Sequence, residues 1–467
     1  MKITRRTALR ASLFLGTPWL IGSQKKLNAK EENKISSIKR TVLIIGAGMA
    51  GIAAAQKLQN NSYKVTILEG RNRSGGRILT QRFKDTSIDL GAAWIHGDAP
   101  NNPLMELASK YNIETSATDW DETWLYQAGK GVIEDSEYDK IEQKAGQLIK
   151  KIHELQLNAE TKDSMKSTIQ KLLNSLHGSK TLKEGVRWWI SSEIEGVSAA
   201  NYKDLSLQFW NEDEEFEGQD LLLTNGYGNL IDKLSEEMDI QYNHEVNRIT
   251  YTEAGIRVSG PWGNATADKV IVTVPLGVLK KNRIQFIPEL PARKKESIRR
   301  LEMGLLNKIV LTFQKAFWPK EAHRLGLLGA DTLERIEYYP MPPGGKSAIL
   351  VGIVYGDFAR SIERLSKEKV ISIVINQLQK MFPEVSESDI DEILITGWHS
   401  DPMSEGSYLY IPPNASLNDC KILGEPVENS LFFAGEATHP LYLGTVHGAY
   451  LSGIRSAKEV QASTNKS

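Results

Sequence analysis

The sequence predicts an α/β fold in which a discontinuous, Rossmann-like domain carries an inserted α+β domain, whose mixed sheet is flanked by helices. Three observations predict it. An apolar run, a glycine-rich turn and an alanine-rich helix follow one another at 41–58. Short apolar runs typical of strands buried on both faces recur at 269–274 and 431–434. Between the front and these later runs, the charged amphipathic stretch 138–176 indicates helices.

The front of the chain predicts one βαβ unit of about 30 residues. Residues 41–45 (TVLII) form its first strand, 46–51 (GAGMAG) its turn and 52–58 its helix. Residues 63–68 form the second strand, which ends at Glu69. This order of strand, glycine turn, helix, strand and acid is typical of a dinucleotide site.

The glycines of the turn are expected to have separate tasks. Gly46 permits the tight turn out of the strand, and Gly48 lets the backbone approach a pyrophosphate. Gly51 lets the helix pack closely on the sheet. The phosphates would lie at the positive end of the helix that starts near Met49. Glu69 would accept hydrogen bonds from the adenosine ribose.

Four other segments complete the outline. Asn102 and Pro103 predict a helix start, because asparagine caps and proline suits the first helical position. Strand-like alternation runs from 242 to 258, and amphipathic helices are predicted at 366–381 and 447–460. Because strand signals lie near the start, middle and end, the cofactor domain is expected to be discontinuous.

Composition excludes several classes of function. The chain has 467 residues, enough for two domains, and a formal net charge of -1, which favours neither nucleic acid nor an anionic membrane surface. The single cysteine, Cys420, excludes an internal disulfide and a cysteine-based zinc site. The eight histidines lack ligand spacing, so no metal is expected. No oligomeric state follows from the sequence.

The N-terminus resembles a twin-arginine export signal. Arg5 and Arg6 lie in a basic stretch, and the uncharged run 11–24 follows. The run is shorter than the roughly 20 apolar residues that span a bilayer, so no stable membrane anchor is expected. We predict a signal at 1–27, a linker at 28–39, transient contact with the twin-arginine machinery, and a periplasmic or secreted protein. The alternative is a disordered basic tail on a cytoplasmic protein.

Several motifs resemble the flavin amine oxidase superfamily, in family order, over residues 40–458. Gly75-Gly76-Arg77 resembles the front of its FAD site, and 89–97 (DLGAAWIHG) the segment that passes over the flavin. The other matching segments are 273–279, 401–408, 433–438 and 444–453. The resemblance implies an FAD-binding domain at 40–96, 240–308 and 398–462, and a substrate-binding domain at 97–239 and 309–397.

The resemblance also implies the cofactor contacts. The residues expected to hold FAD are Gly46, Gly48, Ala50, Gly51, Glu69, Arg71, Gly76, Arg77, Gly91, Ala92, Ala93, Trp94, Val246, Pro275, Trp398, Gly435, Glu436, Thr445 and Val446. Ser407 stands where monoamine oxidases carry the cysteine that bonds the flavin. A non-covalent FAD is therefore expected.

Three residues are expected to be catalytic. Lys308 matches the family lysine that holds a water near the flavin, Tyr408 matches one wall of an aromatic cage, and His96 matches a histidine of the polyamine oxidase branch. Lys308 could instead be a snorkelling surface lysine, and His96 a loop histidine. Thr445 occupies the second cage position, and Glu195 resembles an acid that could attract a distal ammonium group. The acidic run 212–215 either attracts cations or forms a solvated loop.

The expected function is oxidation of an amine, with a polyamine favoured. Hydride transfer to the flavin and reoxidation by O2 would give an imine, then an aldehyde, and H2O2. One alternative is an L-amino-acid oxidase, which needs a buried arginine such as Arg187 or Arg324 to hold the substrate carboxylate. Another is a flavoprotein that binds amines without turnover. A histone-type demethylase is disfavoured by the export signal and by the lack of a long helical-hairpin insertion.

Overall fold

The computed structural model describes residues 40–59, 63–212, 214–252, 255–329, 334–343 and 347–464. The predicted export signal (1–27) and linker (28–39) lie outside the described residues. The helices are α1 (Met49–Gln59), α2 (Pro103–Lys110), α3 (Asp135–Gln156), α4 (Met165–Asn174), α5 (Lys180–Ile190), α6 (Tyr227–Ser235), α7 (Leu276–Lys280), α8 (Ala292–Arg300), α9 (Gly356–Ile362), α10 (Lys367–Met381), α11 (Leu417–Gly424) and α12 (Val446–Thr464).

The strands are β1 (Thr41–Ile45), β2 (Lys64–Leu68), β3 (Thr80–Phe83), β4 (Thr86–Asp89), β5 (Trp94–Ile95), β6 (Thr115–Ala117), β7 (Thr123–Gln127), β8 (Gly131–Val132), β9 (Leu221–Leu223), β10 (Ile240–Gln241), β11 (Arg248–Thr252), β12 (Gly255–Gly260), β13 (Gly263–Ala267), β14 (Lys269–Val272), β15 (Gln285–Ile287), β16 (Glu302–Met303), β17 (Leu306–Phe313), β18 (Arg324–Leu328), β19 (Glu337–Pro340), β20 (Ile349–Tyr355), β21 (Ile390–Ile395), β22 (Leu409–Tyr410) and β23 (Leu431–Phe433).

A five-stranded parallel sheet, in the order β10-β2-β1-β14-β23, gathers strands from the front, middle and end of the chain. Helices α1 and α12 pack against each other beside it. Small residues permit this packing, because a Cβ on Gly453 would lie 2.2 Å from the carbonyl oxygen of Ala50. The sheet edge where β1 and β2 end carries the glycine turn and Glu69.

A second, mixed sheet of seven strands has the order β21-β17-β20-β19-β18-β7-β8. Its neighbours are antiparallel except for β18 and β7, which run parallel. Helices α3, α4 and α5 share one hydrophobic core with residues of β7 and β18, and α10 packs against the sheet through another. The predicted fold class, a Rossmann-like part with an α+β part built on a mixed sheet, is confirmed. The exact domain boundaries stay predictions.

Local structure adds detail to the expectations in two places. The amphipathic stretch 138–176, where helices are predicted, contains most of α3 and all of α4, and Ser164 caps the start of α4 by accepting from the amide of Lys166. The strand predicted at 269–274 ends at Val272, and Pro275 precedes α7 as its N-terminal cap residue. Among the described helices, none combines the length and apolar character needed to cross a membrane.

Candidate active site

One cavity of about 890 Å³ lies between the parallel sheet and the mixed sheet, near the upper end of the usual size for ligand sites. Its wall contains all the predicted catalytic and cofactor residues except Gly51. The exception fits the task assigned to that glycine, since a Cβ on Gly51 would lie 2.0 Å from the carbonyl oxygen of Gly46. Gly51 therefore serves the packing of α1 on β1 rather than the cavity wall.

Glycines leave room for a ligand at the end of the cavity beside α1. A Cβ on Gly48 would meet only the carbonyl oxygen of Gly75, at 3.9 Å, and one on Gly435 would meet nothing closer than 4.0 Å. Gly46 and Gly76 have φ angles of 108° and 60°, which only glycine adopts readily. The first amides of α1 lie beside this open space, so the arrangement suits a pyrophosphate.

Glu69 is fixed at the end of β2 by two backbone donors. Its Oε2 accepts from the amide of Ala47 at 2.8 Å, and its Oε1 accepts from the amide of Arg71 at 2.7 Å. A carboxylate has about four acceptor positions, so both oxygens can still accept a hydroxyl. The residue is therefore oriented to hold the hydroxyls of a ribose.

Each of the two arginines expected to hold FAD, Arg71 and Arg77, forms an ion pair with an acidic side chain. Arg77 donates to Glu436 and to the carbonyl of Ser407, both at 2.8 Å, and Arg71 donates to Asp401 at 2.6 Å. These pairs join the front motif to the C-terminal motifs across more than 300 positions of chain. They also hold the guanidinium groups in the cavity wall, where an arginine fork can bind phosphate.

The segment after β4 runs along the middle of the cavity. A Cβ on Gly91 would lie 1.8 Å from the carbonyl oxygen of Arg77, so only glycine fits there. Trp398 packs on the same segment and donates its indole N–H to the carbonyl of Leu90 at 3.2 Å. This segment and the loop that precedes α12 both line the cavity.

Thr445 caps the helix that begins at Val446. Its hydroxyl donates to the carbonyl of Tyr442 and accepts from the amide of Gly448. The positive end of α12 therefore borders the cavity, which suits a group that gains negative charge on reduction. The glycine cradle, Glu69, the arginines and this helix end fit FAD along the length of the cavity.

Lys308 is a buried residue of β17, with 4% of its surface exposed. The alternative of a snorkelling surface lysine is therefore wrong. Its Nζ donates to the carbonyls of Asp89 and Gly91, at 2.6 and 2.8 Å, and lies 5.7 Å from the centre of the Trp94 ring. Burial lowers the pKa of Lys308 to about 8. The ammonium group is therefore mostly charged at pH 7 and loses its proton as the pH rises through about 8, closer to neutrality than an exposed lysine does.

Tyr408 is held against the π-helical turn Ser191–Gly196. Its hydroxyl donates to the carbonyls of Gly196 and Val197, at 3.3 and 3.1 Å, and burial raises its pKa above the usual value. The phenol therefore stays neutral and its ring forms part of the wall. The preceding residue, Ser407, donates to the carbonyl of Leu306 and accepts from its amide.

His96 also lines the cavity and forms a hydrogen bond with a buried acid. Its Nδ1 lies 3.0 Å from Oδ1 of Asp220, whose other oxygen accepts the indole N–H of Trp120 at 2.9 Å. His96 thus lines the cavity, as a catalytic role requires, and its ring has a specific partner, as the loop-histidine alternative also requires. No sequence motif marks Asp220.

A polar cluster at the mixed sheet was also missed from the sequence. Arg324 forms an ion pair with Glu337 at 2.8 Å and lies 3.8 Å from Glu193. All three residues line the cavity. Glu337 also accepts from the hydroxyls of Tyr339 and Tyr355, each at 3.2 Å. Charged residues within the apolar strands β18 and β19 were the available signal, because a buried charge requires a partner.

Glu195 does not belong to the cavity wall, so its expected role as a distal acid is corrected. Its carboxylate accepts from the hydroxyl of Ser191 and from the amide of Tyr202, at 2.5 and 2.9 Å. These donors hold it inside the π-helical turn. The turn presents Ser192 and Glu193 to the cavity instead.

The acidic run 212–215 is exposed at its described residues, and Glu214 and Glu215 also line the cavity. Asp213 lies outside the described residues. The two interpretations of this run are therefore compatible, since a solvated acidic loop stands where a cation could enter.

Comparison with known proteins agrees with this geometry. Residues 49–461 match the family described as flavin-containing amine oxidoreductase. A probable polyamine oxidase 4 of Arabidopsis thaliana is 34% identical over 94% of this chain and 90% of its own length. A lysine-specific histone demethylase 1 homolog 2 of the same plant is 36% identical over 90% of this chain but only 58% of its own length.

Solved structures agree on the fold. A putrescine oxidase double mutant with redesigned cofactor binding superposes with a TM-score of 0.72, covering 91% of this chain and 99% of that one, at 19% identity. The predicted superfamily and the FAD cofactor are confirmed by the family match. The chain belongs to the flavin-containing amine oxidoreductase family, as an FAD-dependent amine oxidoreductase.

Proposed function

We propose that the protein oxidises a polyamine, with non-covalent FAD as cofactor and O2 as the final acceptor, and releases an aldehyde and H2O2. FAD, when bound, accepts a hydride from the carbon beside the amine nitrogen and passes the electrons to oxygen. The relatives named polyamine oxidase support the substrate class. The observation that carries the proposal is the charge of the polar cluster at the mixed sheet.

In that cluster, two carboxylates form ion pairs with the same guanidinium. Arg324 contacts both Glu337 and Glu193, and a single guanidinium balances only one carboxylate. The side chain of Glu193 is 37% exposed, whereas those of Arg324 and Glu337 are at most 5% exposed. Glu193 is thus the carboxylate that a bound cation can reach. An ammonium group there would pair with Glu193, which a monoamine bound at the flavin end could not do.

The other end of the cavity suits the reacting amine. Tyr408 and Trp94 offer aromatic faces, which attract an amine group. Lys308 donates two of its hydrogens to backbone carbonyls, and we place a water on the remaining one. These side chains bind and orient the substrate, exclude bulk water and hold one proton donor beside the cofactor.

The amino-acid oxidase alternative requires a buried arginine that can bind the substrate carboxylate, and Arg324 already binds Glu337. This arginine is buried in the cavity wall, as that alternative requires, but Glu337 already accepts from two of its nitrogens. A substrate carboxylate would have to displace a buried carboxylate, which is costly. Arg187, the other candidate, does not line the cavity.

The substrate test is anaerobic mixing of the purified holoprotein with spermine, spermidine, putrescine, a simple monoamine, L-amino acids and a methylated-lysine peptide. We expect loss of flavin absorbance with the polyamines first, and catalytic H2O2 release in air. Reduction by L-amino acids alone would contradict the proposal and indicate an amino-acid oxidase. Reduction by the peptide alone would contradict it and indicate a demethylase. Binding of amines without any reduction would support a flavoprotein without turnover.

A pair of neighbouring variants tests the charge argument. Glu193→Gln removes the reachable carboxylate, and we expect kcat/KM for the best polyamine to fall about tenfold, the equivalent of 1.4 kcal/mol. The monoamine should be unaffected. Glu195→Gln is the matched control, because its carboxylate lies outside the cavity wall. Equal effects of the two variants on the polyamine-to-monoamine ratio would contradict the proposal.

We also propose export by the twin-arginine route to the periplasm or medium. Arg5, Arg6 and the apolar run 11–24 support it. A protein exported in the folded state can acquire its cofactor beforehand. Replacing both arginines with lysine should retain the FAD-loaded protein in the cytoplasmic fraction. If the wild type is already in the cytoplasmic fraction, so that the variant does not change the distribution, the protein is cytoplasmic.

A further inference from the structure

Asp220 holds two cavity-wall side chains through its two oxygens. Oδ1 lies 3.0 Å from Nδ1 of His96, and Oδ2 accepts the indole N–H of Trp120 at 2.9 Å. We propose that Asp220 is a positioning residue that keeps His96 ready to accept a proton from the substrate ammonium group. The inference rests on the proposed amine oxidation and adds the source of the neutral amine.

A three-stranded sheet, β5-β9-β6, brings these residues together. β9 lies in the middle and is antiparallel to both neighbours, with Leu221 opposite Ile95 on one side and Ala117 on the other. Asp220 precedes Leu221 and therefore lies beside His96, which follows Ile95. The acid is placed by backbone pairing and is only 3% exposed, whereas the His96 side chain is 42% exposed.

The partner determines which ring nitrogen carries the proton. A carboxylate only accepts, so Nδ1 of His96 must donate to Asp220. In the neutral ring, Nε2 then has a free lone pair. Because His96 lines the cavity, this lone pair is available to a substrate N–H. Without the acid, the ring could adopt either tautomer.

The histidine belongs to the reacting end of the cavity. Trp120 packs against Trp94, with ring centres 5.8 Å apart, and both pack against Tyr339. The Trp94 ring in turn lies 5.7 Å from Nζ of Lys308. The pair of His96 and Asp220 is therefore linked through packed aromatic rings to the lysine beside the flavin segment.

Another titratable group near His96 is already neutral. His447, in the first turn of α12, interacts electrostatically with His96 and with His439. Burial, helped by these two histidines, lowers the pKa of His447 to about 3. His447 therefore contributes no charge at neutral pH, and the contact that orients the His96 ring is the one with Asp220.

The proton step balances simply. Only a neutral amine can release a hydride from its α-carbon, but an alkyl amine is mostly protonated at neutral pH. The ammonium N–H bond breaks, its electron pair stays on nitrogen, and the proton passes to Nε2 of His96. The buried Asp220 carboxylate stabilises the imidazolium that results. The proton leaves to solvent when the ring is released from the substrate.

Asp220→Asn provides a sharp test, because the indole N–H of Trp120 can only donate. The new amide must turn its oxygen toward Trp120 and its NH2 toward His96, which forces the proton of His96 onto Nε2. We expect the rate of anaerobic flavin reduction by the best amine to fall about 100-fold at pH 7. The loss should shrink as the pH rises past the pKa of the amine, since the amine then arrives neutral.

Two further variants separate positioning from general damage. In Asp220→Asn with Trp120→Phe, the amide can turn its oxygen back to His96, so part of the lost rate should return. In a His96→Gln background, Asp220→Asn should cause no additional loss. A loss that is the same at every pH, with no recovery in the double variant, would overturn the proposal. If no amine reduces the wild-type flavin, the proposed function fails instead.

Discussion

Lys308 Nζ donates to the backbone carbonyls of Asp89 and Gly91, at 2.6 and 2.8 Å. The lysine belongs to β17 of the mixed sheet, and its acceptors belong to the segment that leaves β4. One buried ammonium group thus ties the two parts of the molecule together at the cavity. Because it sits beside the cofactor segment, its charge should also influence chemistry there.

Lys308→Met should therefore slow the reaction of the reduced enzyme with oxygen by about 100-fold. Removing one hydrogen-bond donor that stabilises a developing negative charge has an effect of this size in other enzymes. A cation stabilises negative charge that forms on oxygen as electrons arrive. The pKa of Lys308 is about 8, so the wild-type rate should fall as the pH rises through 8, and the variant should show no such change. Stopped-flow reoxidation from pH 6 to 10 measures both. An unchanged rate at pH 7 in the variant would refute this role.

Asp89 should make the folded protein less stable as the pH rises from about 4 to 6. Burial raises the pKa of its carboxyl to about 6 from the ordinary 3.8. The folded state therefore holds a proton that the unfolded state has already released in this interval, so stability falls with rising pH. Asp89→Asn should abolish this decline, a difference of up to about 3 kcal/mol at pH 7.

Chemical unfolding of wild type and Asp89→Asn at pH 4, 5, 6 and 7 tests that slope. The asparagine oxygen can keep the bonds that Oδ1 accepts from the Thr80 hydroxyl and the Tyr227 amide. Lys308 stays charged throughout this range, so it does not interfere. Parallel stability curves for the two proteins would show that Asp89 is ionised in the fold.

Sequence patterns predicted the structural features that depend on residues close to each other along the chain. The apolar runs at β1, β2 and β14 form strands, and the predicted catalytic and cofactor residues other than Gly51 line the cavity, since local spacing carries that information. Charged residues in β18 and β19 indicated that a buried partner was needed, but which residues form the cluster of Arg324, Glu337 and Glu193 could not be predicted. It depends on the pairing of β18 and β19 and on a π-helical turn, and neither has a distinctive sequence period.

Asp220 illustrates the same limit. It lies 124 positions from His96 and is placed by β9, a strand of three residues that is too short for an alternation pattern to be visible. Glu195 shows the converse. An acid in a familiar segment looked functional, but the π-helical turn directs its carboxylate to Ser191 and Tyr202.

Two glycines of the turn should respond differently to alanine. In Gly48→Ala the added Cβ meets little protein, so the apoprotein should unfold at the wild-type temperature but bind FAD at least tenfold more weakly. In Gly51→Ala the Cβ would collide with the carbonyl of Gly46, 2.0 Å away, so the apoprotein itself should lose stability. Thermal unfolding and FAD titration of both apoproteins distinguish packing from cofactor contact. The same profile in both variants would contradict the assignment.

Lys294 should be a strong contributor to stability. From α8, its Nζ donates to the carbonyls of Ile422, Leu423 and Glu425, at 2.8, 2.7 and 2.7 Å, where α11 ends. Lys294→Met removes the side-chain donor from all three carbonyls, of which only that of Ile422 is also seen to accept from an amide, that of Glu425, and we expect a loss of about 3 kcal/mol in the free energy of unfolding. Lys295→Met is the matched control, because this neighbour is half exposed and pairs with the exposed Glu289, so its change should stay within about 0.5 kcal/mol. If Lys294→Met and Lys295→Met lower the free energy of unfolding in urea equally, water must replace the ammonium group as the donor to the three carbonyls.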